Sequence, residues 1–571
     1  MFFLLLFLLF TKPVLATNDF DIKENINYSI DLSGQASVTH QINITNNFSQ
    51  IYPQNYQLNI QGLSLTDLSV SDDNGNILQS FTTNNDATTI KLKFNQAKIG
   101  KNQITSFKLN YKIPSFAKNK GKTWEISLPQ SIGDNLSSTQ IKIQAPPDFG
   151  SLSFASIPVK FENFGTQNQI SFSSDNFQNK ILIILGNYQL FNFTLNYQLN
   201  NPSNDQTFTE IALIPDTYSQ SVFYQSISPS PLSIRVDSDG NWLAKYQLKA
   251  QENINITAEG QVKTGITSPQ STPDLSLYLK EQPFWPISDP QIQTISQNLS
   301  SPRSIYDYVV NTLNYNYDRI NSNSTRLGAL EALNQPNNAL CTEFTDLFVT
   351  LARAKGIAAR EIEGYAYSNN SKIKPINLQS DVLHAWPEYF DISTNLWKAI
   401  DPTWAKTTNG IDYFNDLDLN HVTFVTHGLD SQLPQVPNAH LEFASEEIKS
   451  EHNLPQLSLQ GSQLILKNNS PNSQKNLHLS IPTLSYEKDV NTILPYSSVT
   501  FSIPTVNFFA SLLPKYQKIT VVLTNSDSLT NTQNLQNSTH FLNLGISIIV
   551  SLVILSISGI IITSHHHEKN S

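Results

Sequence analysis

Sulfur is almost missing from this 571-residue chain: Cys341 is its only cysteine and Met1 its only methionine. One thiol excludes an internal disulfide framework and any metal site built on several cysteines. Charge is sparse too, with 36 Lys and Arg against 46 Asp and Glu, 14% of residues in all and a net charge of -10. No basic run breaks that deficit and the isoelectric point is near 5.6. The clustered cations that neutralise a phosphate backbone are therefore lacking, which argues against nucleic acid as a partner. Hydrophobic residues at 39% and aromatics at 10%, with 31 Phe and 21 Tyr, supply packed cores and exclude a wholly disordered chain. The length allows three or four domains.

The two ends point to a membrane. Residues 1–16 (MFFLLLFLLFTKPVLA) combine an apolar run with small residues at Val14-Leu15-Ala16, the pattern of a secretory signal peptide. Residues 541–564 hold no Lys, Arg, Asp or Glu, and at about 1.5 Å per residue such a run crosses a bilayer as one transmembrane helix. The tail 565–571 opens on three His, read as a polar stop rather than a metal site. The expectation is a single-pass protein of the cell membrane, with its N-terminal ectodomain outside the cytoplasm.

Between the ends, residues 17–150 and 151–265 show short alternating runs such as INYSIDL, TIKLKF and FTLNYQL, the period of strands. Asn74-Gly75 and Asp239-Gly240 are candidate two-residue hairpin turns. Two β domains are expected, a sandwich and a second β-rich unit, with a boundary near 150. Residues 266–290 carry Pro269, Pro273, Pro283, Pro286 and Pro290, the composition of a linker. The texture then turns mixed α+β over 291–428: Ile305, Tyr306, Val309, Val310 and Leu313 share a helical face, and RLGALEAL (326–333) reads as a second helix. A linker at 429–455, an Ig-like β-sandwich at 456–526 and a polar stalk at 527–540 complete the order.

The lone thiol opens the segment CTEFTDLFVTLARAKG (341–356), in which Phe344, Leu347, Phe348, Leu351 and Ala352 keep helical spacing and Gly356 is a natural stop. Cys341 thus falls in the first turn of a helix, where free amides and the dipole favour an anion, the form of sulfur that attacks carbonyls. Downstream, HAWPEYFDI (384–392) and LWKAIDPTW (396–404) read as paired strands around the turn ISTN. A four-residue loop at 392–395 sets Asp391 opposite Leu396 and Trp386 opposite Asp401, which makes His384 and Asp401 diagonal neighbours on one face.

CTEF, LARAKGIAAREIEGY (351–365), HAWPEYF and WKAIDPTW stand in an order that resembles the transglutaminase-like superfamily, papain-like cysteine enzymes. The resemblance covers roughly 300–428. It implies Cys341 as nucleophile, His384 as base and acid, and Asp401 as the residue that orients His384. Two departures are Ala339, where the family often has Gly, and Thr342, where many crosslinking members carry Trp. Trp386, Glu388 and Tyr365 are candidates for shaping or supporting the cleft, with ordinary core packing as the alternative, and Arg360 is expected in a structural ion pair. No cofactor is implied and no calcium-ligand cluster is visible.

The whole reads as a membrane-anchored surface enzyme that acts on amide bonds of a protein or peptide, a cell-wall peptide among the candidates. Hydrolysis, as by a peptidase or amidase, is preferred to crosslinking. A non-catalytic surface binding or assembly protein and a cell-wall or glycan-processing amidase are the alternatives.

Overall fold

A computed structural model describes residues 19–536, apart from 62–63, 73–74, 77, 85–86, 97, 129–130, 134–135, 175–180, 269–271, 321–324, 368–382, 409–410, 449–453, 461, 505–517 and 526–529. Among the described residues no helix is long and apolar enough to cross a membrane. The expected signal peptide at 1–16, the apolar run 541–564 and the tail 565–571 lie outside them. The chain is a mostly β multidomain protein that divides into two units, residues 1–189 with 264–361 and 365–421, and residues 190–263 with 362–364 and 422–571.

The first unit opens on strands that follow their sequence period. Phe20–Ile30 alternates buried and exposed residues and pairs antiparallel with Ala36–Asn46, Ile26 opposite His40. Gly34, at φ +82, makes the turn between them, and a Cβ there would lie 2.2 Å from the Ala117 carbonyl oxygen. Ile26, Ile42, Ile60, Phe107 and Ile143 meet in one buried core, each contributing about 1.5–3 kcal/mol of apolar burial. Leu136–Ala145 joins Phe20–Ile30 in parallel and also pairs with Asn168–Ser174. That ladder corrects the expected boundary near 150, since one sheet takes strands from both sides of it and the unit runs to Gln189.

The mixed α+β part of this unit begins inside the expected linker. Trp285 is fully buried and donates its indole N–H to Asp346 (2.8 Å), so an aromatic anchor orders a Pro-rich stretch. The helices are α1 (Pro290–Gln297), α2 (Pro302–Thr312), α3 (Gly328–Asn334), α4 (Cys341–Ala354) and α5 (Pro402–Thr407). As the spacing predicts, Ile305, Tyr306 and Val309 of α2 and Leu313 after it are buried, while Val310 is half-buried. Strands Leu396–Ala399, Leu383–Asp391 and Ala359–Ala366 lie side by side in that order.

In the second unit, Gln189–Asn200 pairs with Asn438–Phe443, Phe193 opposite Leu441, so the expected linker 429–455 contains a strand. Val236 faces Trp242 around Asp237–Asn241, a longer loop than a two-residue turn. Its hydrogen bonds explain the length: the Asp237 carboxylate accepts the backbone N–H groups of Asp239 and Asn241, both at 2.9 Å. At the C-terminal end two sheets enclose Leu464, Leu466, Leu479, Ile481 and Leu523. Thr530–Gln536 of the expected stalk pairs with Lys518–Thr524 as a further strand.

Candidate functional site

Cys341 is the first residue of α4, a helix buried on almost every side: Phe344, Leu347, Phe348, Val349, Leu351 and Ala352 are all at 0% exposure. Glu343 closes its start. Its carboxylate accepts the Leu340 backbone N–H at 2.7 Å and the Leu327 N–H at 2.8 Å, which fixes the entering chain. Ala339 is extended, with φ −79 and ψ 143, a conformation that needs no glycine. The helix ends as the sequence suggests, with Gly356 at φ +83 just beyond the cap. Cys341 itself stays partly exposed, and the opening amides around it have no partner within the helix.

The strand pairing has the register expected from the four-residue loop, Asp391 opposite Leu396 and Glu388 opposite Ala399. Beyond Ala399 one more backbone bond follows, from the Ile400 N–H to the Pro387 carbonyl at 3.1 Å. Asp401 does not continue the ladder opposite Trp386. Pro402 cannot extend a ladder but suits the first position of a helix, so Asp401 becomes the N-cap of α5 and accepts the Trp404 N–H at 2.8 Å. The displaced carboxylate still reaches His384, whose Nε2 donates to Asp401 Oδ2 at 2.7 Å. The Cys341 thiol lies close enough to the ring to raise its pKa, and with Nε2 turned to Asp401 the ring nitrogen that remains is Nδ1.

Burial lowers the His384 pKa, but the Asp401 charge and hydrogen bond, with the Cys341 thiol, outweigh it and hold the ring above its ordinary 6.5. Burial also opposes ionisation of Asp401, and His384 followed by His421 overcome this, keeping the carboxyl well below the usual range. A thiol at a helix N-terminus near a histidine held by a carboxylate is an arrangement whose chemistry suits acyl transfer.

The remaining candidates divide. Trp386 is 2% exposed, with its ring 5.9 Å from that of His384, and Glu388 is buried and paired with Arg360 at 2.7 Å. Tyr365 is buried and stacks on Tyr367. All three are buried side chains. Residues the sequence reading missed complete the surroundings. Trp404 stacks on His384 (5.3 Å between ring centres, 22° between planes), and Tyr413 packs edge-on against Trp404 while stacking on Phe154 of the N-terminal β part. His421 Nε2 lies 3.5 Å from Asp401 Oδ2, and its Nδ1 lies 2.9 Å from Asp418 Oδ1. DPTW could have flagged Trp404 by adjacency, whereas His421 carries no local signal. The donor atoms of His384, Asp401 and His421 lie within 4.8 Å of one another, but they face each other in hydrogen bonds, the geometry of a proton-holding chain.

A sequence model of the Transglutaminase-like superfamily matches residues 287–402. No curated protein matches the chain. Solved structures similar to it include a candidate cysteine protease from Cytophaga hutchinsonii, at 18% identity and TM-score 0.33, covering 46% of this chain and 93% of that one. The periplasmic domain of TgpA from Pseudomonas aeruginosa aligns at 14% identity and TM-score 0.22, covering 39% and 91%. An M1 zinc metallopeptidase from Deinococcus radiodurans aligns at 10% identity and TM-score 0.20, covering 32% and 44%. Residues 287–402 of this β-rich chain thus form a domain of the transglutaminase-like superfamily.

Proposed function

We propose that the chain is a cysteine enzyme acting on amide bonds of a protein or peptide outside the cytoplasm, held at the cell membrane by its apolar C-terminal run. One observation carries the catalytic part: the only thiol of the chain stands at the N-terminus of α4, near a His384 whose pKa it helps to raise and which is itself held by Asp401. In the reaction the Cys341 proton passes to His384 Nδ1 as sulfur adds to the carbonyl carbon. The tetrahedral oxyanion is met by free first-turn amides of α4, the Cys341 N–H foremost. His384 then returns the proton to the departing nitrogen, the C–N bond breaks and a thioester remains on Cys341. Water, deprotonated by the same ring, adds to the thioester and releases a carboxylic acid and the free thiol. An amine in place of water gives a crosslink, and hydrolysis is the preferred outcome.

The test starts from the full chain in detergent micelles. The rate of Cys341 alkylation is followed against pH beside His384→Ala, and a peptide library is screened for cleavage with and without added primary amine. Rapid, His384-dependent alkylation with cleaved products supports the reading, and amine incorporation in place of cleavage moves it to crosslinking. A thiol indifferent to His384 leaves a binding or assembly protein.

A further inference from the structure

His421 plays no part in the reaction as written, yet it is built into the site from all sides. Its side chain is 4% exposed. Nδ1 faces Asp418 Oδ1 at 2.9 Å and Nε2 faces Asp401 Oδ2 at 3.5 Å. The indole of Trp404 lies 4.4 Å from its ring centre and that of Trp386 meets it edge-on at 5.1 Å. A neutral imidazole has one N–H, so one of these contacts would set a lone pair against a carboxylate oxygen; only the doubly protonated ring donates to both. The Asp418 carboxylate is in turn fixed by the Asn420 N–H at 3.0 Å. The ionisable groups around His421 are Asp418 and Asp401, and His384 with its ring centre 6.1 Å away.

We propose that His421 is a fixed imidazolium that positions Asp401 and limits how much of its charge reaches His384. The inference rests on the catalytic reading of the same site. Asp401 Oδ2 is shared between two rings, and its Oδ1 is taken by the Trp404 amide. With a second cation on the shared oxygen, His384 is held as a weaker base than a private carboxylate would make it. It therefore gives its proton back to a leaving nitrogen more readily. His421 is a positioning residue: it touches Asp401 and not the reacting atoms.

Two measurements decide the matter. Nitrogen NMR of the histidine-labelled full chain in micelles reads the ring directly. Protons on both His421 nitrogens at about pH 8, where a free imidazole is neutral, are expected, and a neutral His421 at that pH overturns the proposal. The second is the pH dependence of Cys341 alkylation and of turnover in His421→Gln, which keeps an N–H for Asp401 without the charge, and in Asp418→Asn, which keeps the ring. A unit charge at this separation in a partly polar interior implies an upward move of the His384-governed upper limb by on the order of one to two pH units. In both variants kcat is expected to fall more than KM changes. Upper limbs coincident with the parent's in folded variants overturn the proposal, and if His421→Gln does not fold, Asp418→Asn and the NMR reading decide it. Failure of the catalytic reading looks different, since Cys341 would then be indifferent to His384 while His421 remained charged.

Discussion

Asp401→Asn keeps the size of the side chain and one oxygen but removes the charge on which two imidazoles close. Asp401 is fully buried, with His384 at 2.7 Å and His421 at 3.5 Å on Oδ2. Removing one partner of a buried ion pair costs about 3–5 kcal/mol because the remaining charges stay desolvated. The signs set where in pH that loss appears. The folded Asp401 pKa is depressed, so its stabilisation is present above the unfolded value of about 3.9 and fades as pH falls toward the folded one. The folded pKa values of His384 and His421 are raised, so their stabilisation is complete below about 6.5 and fades as pH rises through the folded values. The windows overlap, and the difference between parent and variant should be largest between about pH 4 and 6.5. Urea unfolding by tryptophan fluorescence suits the purpose, because Trp285, Trp386, Trp397 and Trp404, four of the six tryptophans, lie in or within two residues of the matched stretch 287–402. Losing a charge-assisted hydrogen bond, about 1.5–3 kcal/mol, should slow turnover roughly 10- to 150-fold. A penalty under about 1 kcal/mol, or one equal at pH 3 and pH 5, would refute the linkage.

Other outcomes follow from the same contacts. His384→Ala should abolish rapid alkylation of Cys341 while leaving circular dichroism unchanged, as read with iodoacetamide and mass spectrometry. Trp404→Ala removes the ring that stacks on His384 and packs with Tyr413, at a cost of about 3–5 kcal/mol in stability, visible as a lower urea midpoint. Its turnover should fall more than its substrate affinity. Arg360→Ala removes the guanidinium paired with the buried Glu388 carboxylate and should cost about 3–5 kcal/mol, whereas the double replacement with Glu388→Gln should recover much of it in a double-mutant cycle.

Much of this protein could be read without coordinates because the determining physics is local. The alternation in Phe20–Ile30 and the helical spacing of Phe344, Leu347, Phe348 and Leu351 each state which face is buried. The ISTN turn likewise set Asp391 opposite Leu396, because loop length alone decides that register. The resemblance over CTEF, HAWPEYF and WKAIDPTW picked out three residues that the fold brings near one another, and all three lie within the transglutaminase-like match. Tertiary structure decided the rest. Residues on either side of position 150 share a sheet, and Trp285 draws a Pro-rich stretch into a core, because strand partners and burial depend on distant segments. Asp401 leaves its ladder to cap α5 and yet meets His384, a compromise between the demands of Pro402 and a long-range hydrogen bond. His421 stands 20 positions after Asp401 with no periodicity tying it to the site. Only the folded path of the chain sets it between two carboxylates and two indoles, since a hydrogen bond across such a separation follows from where the backbone returns, which side-chain pattern does not encode.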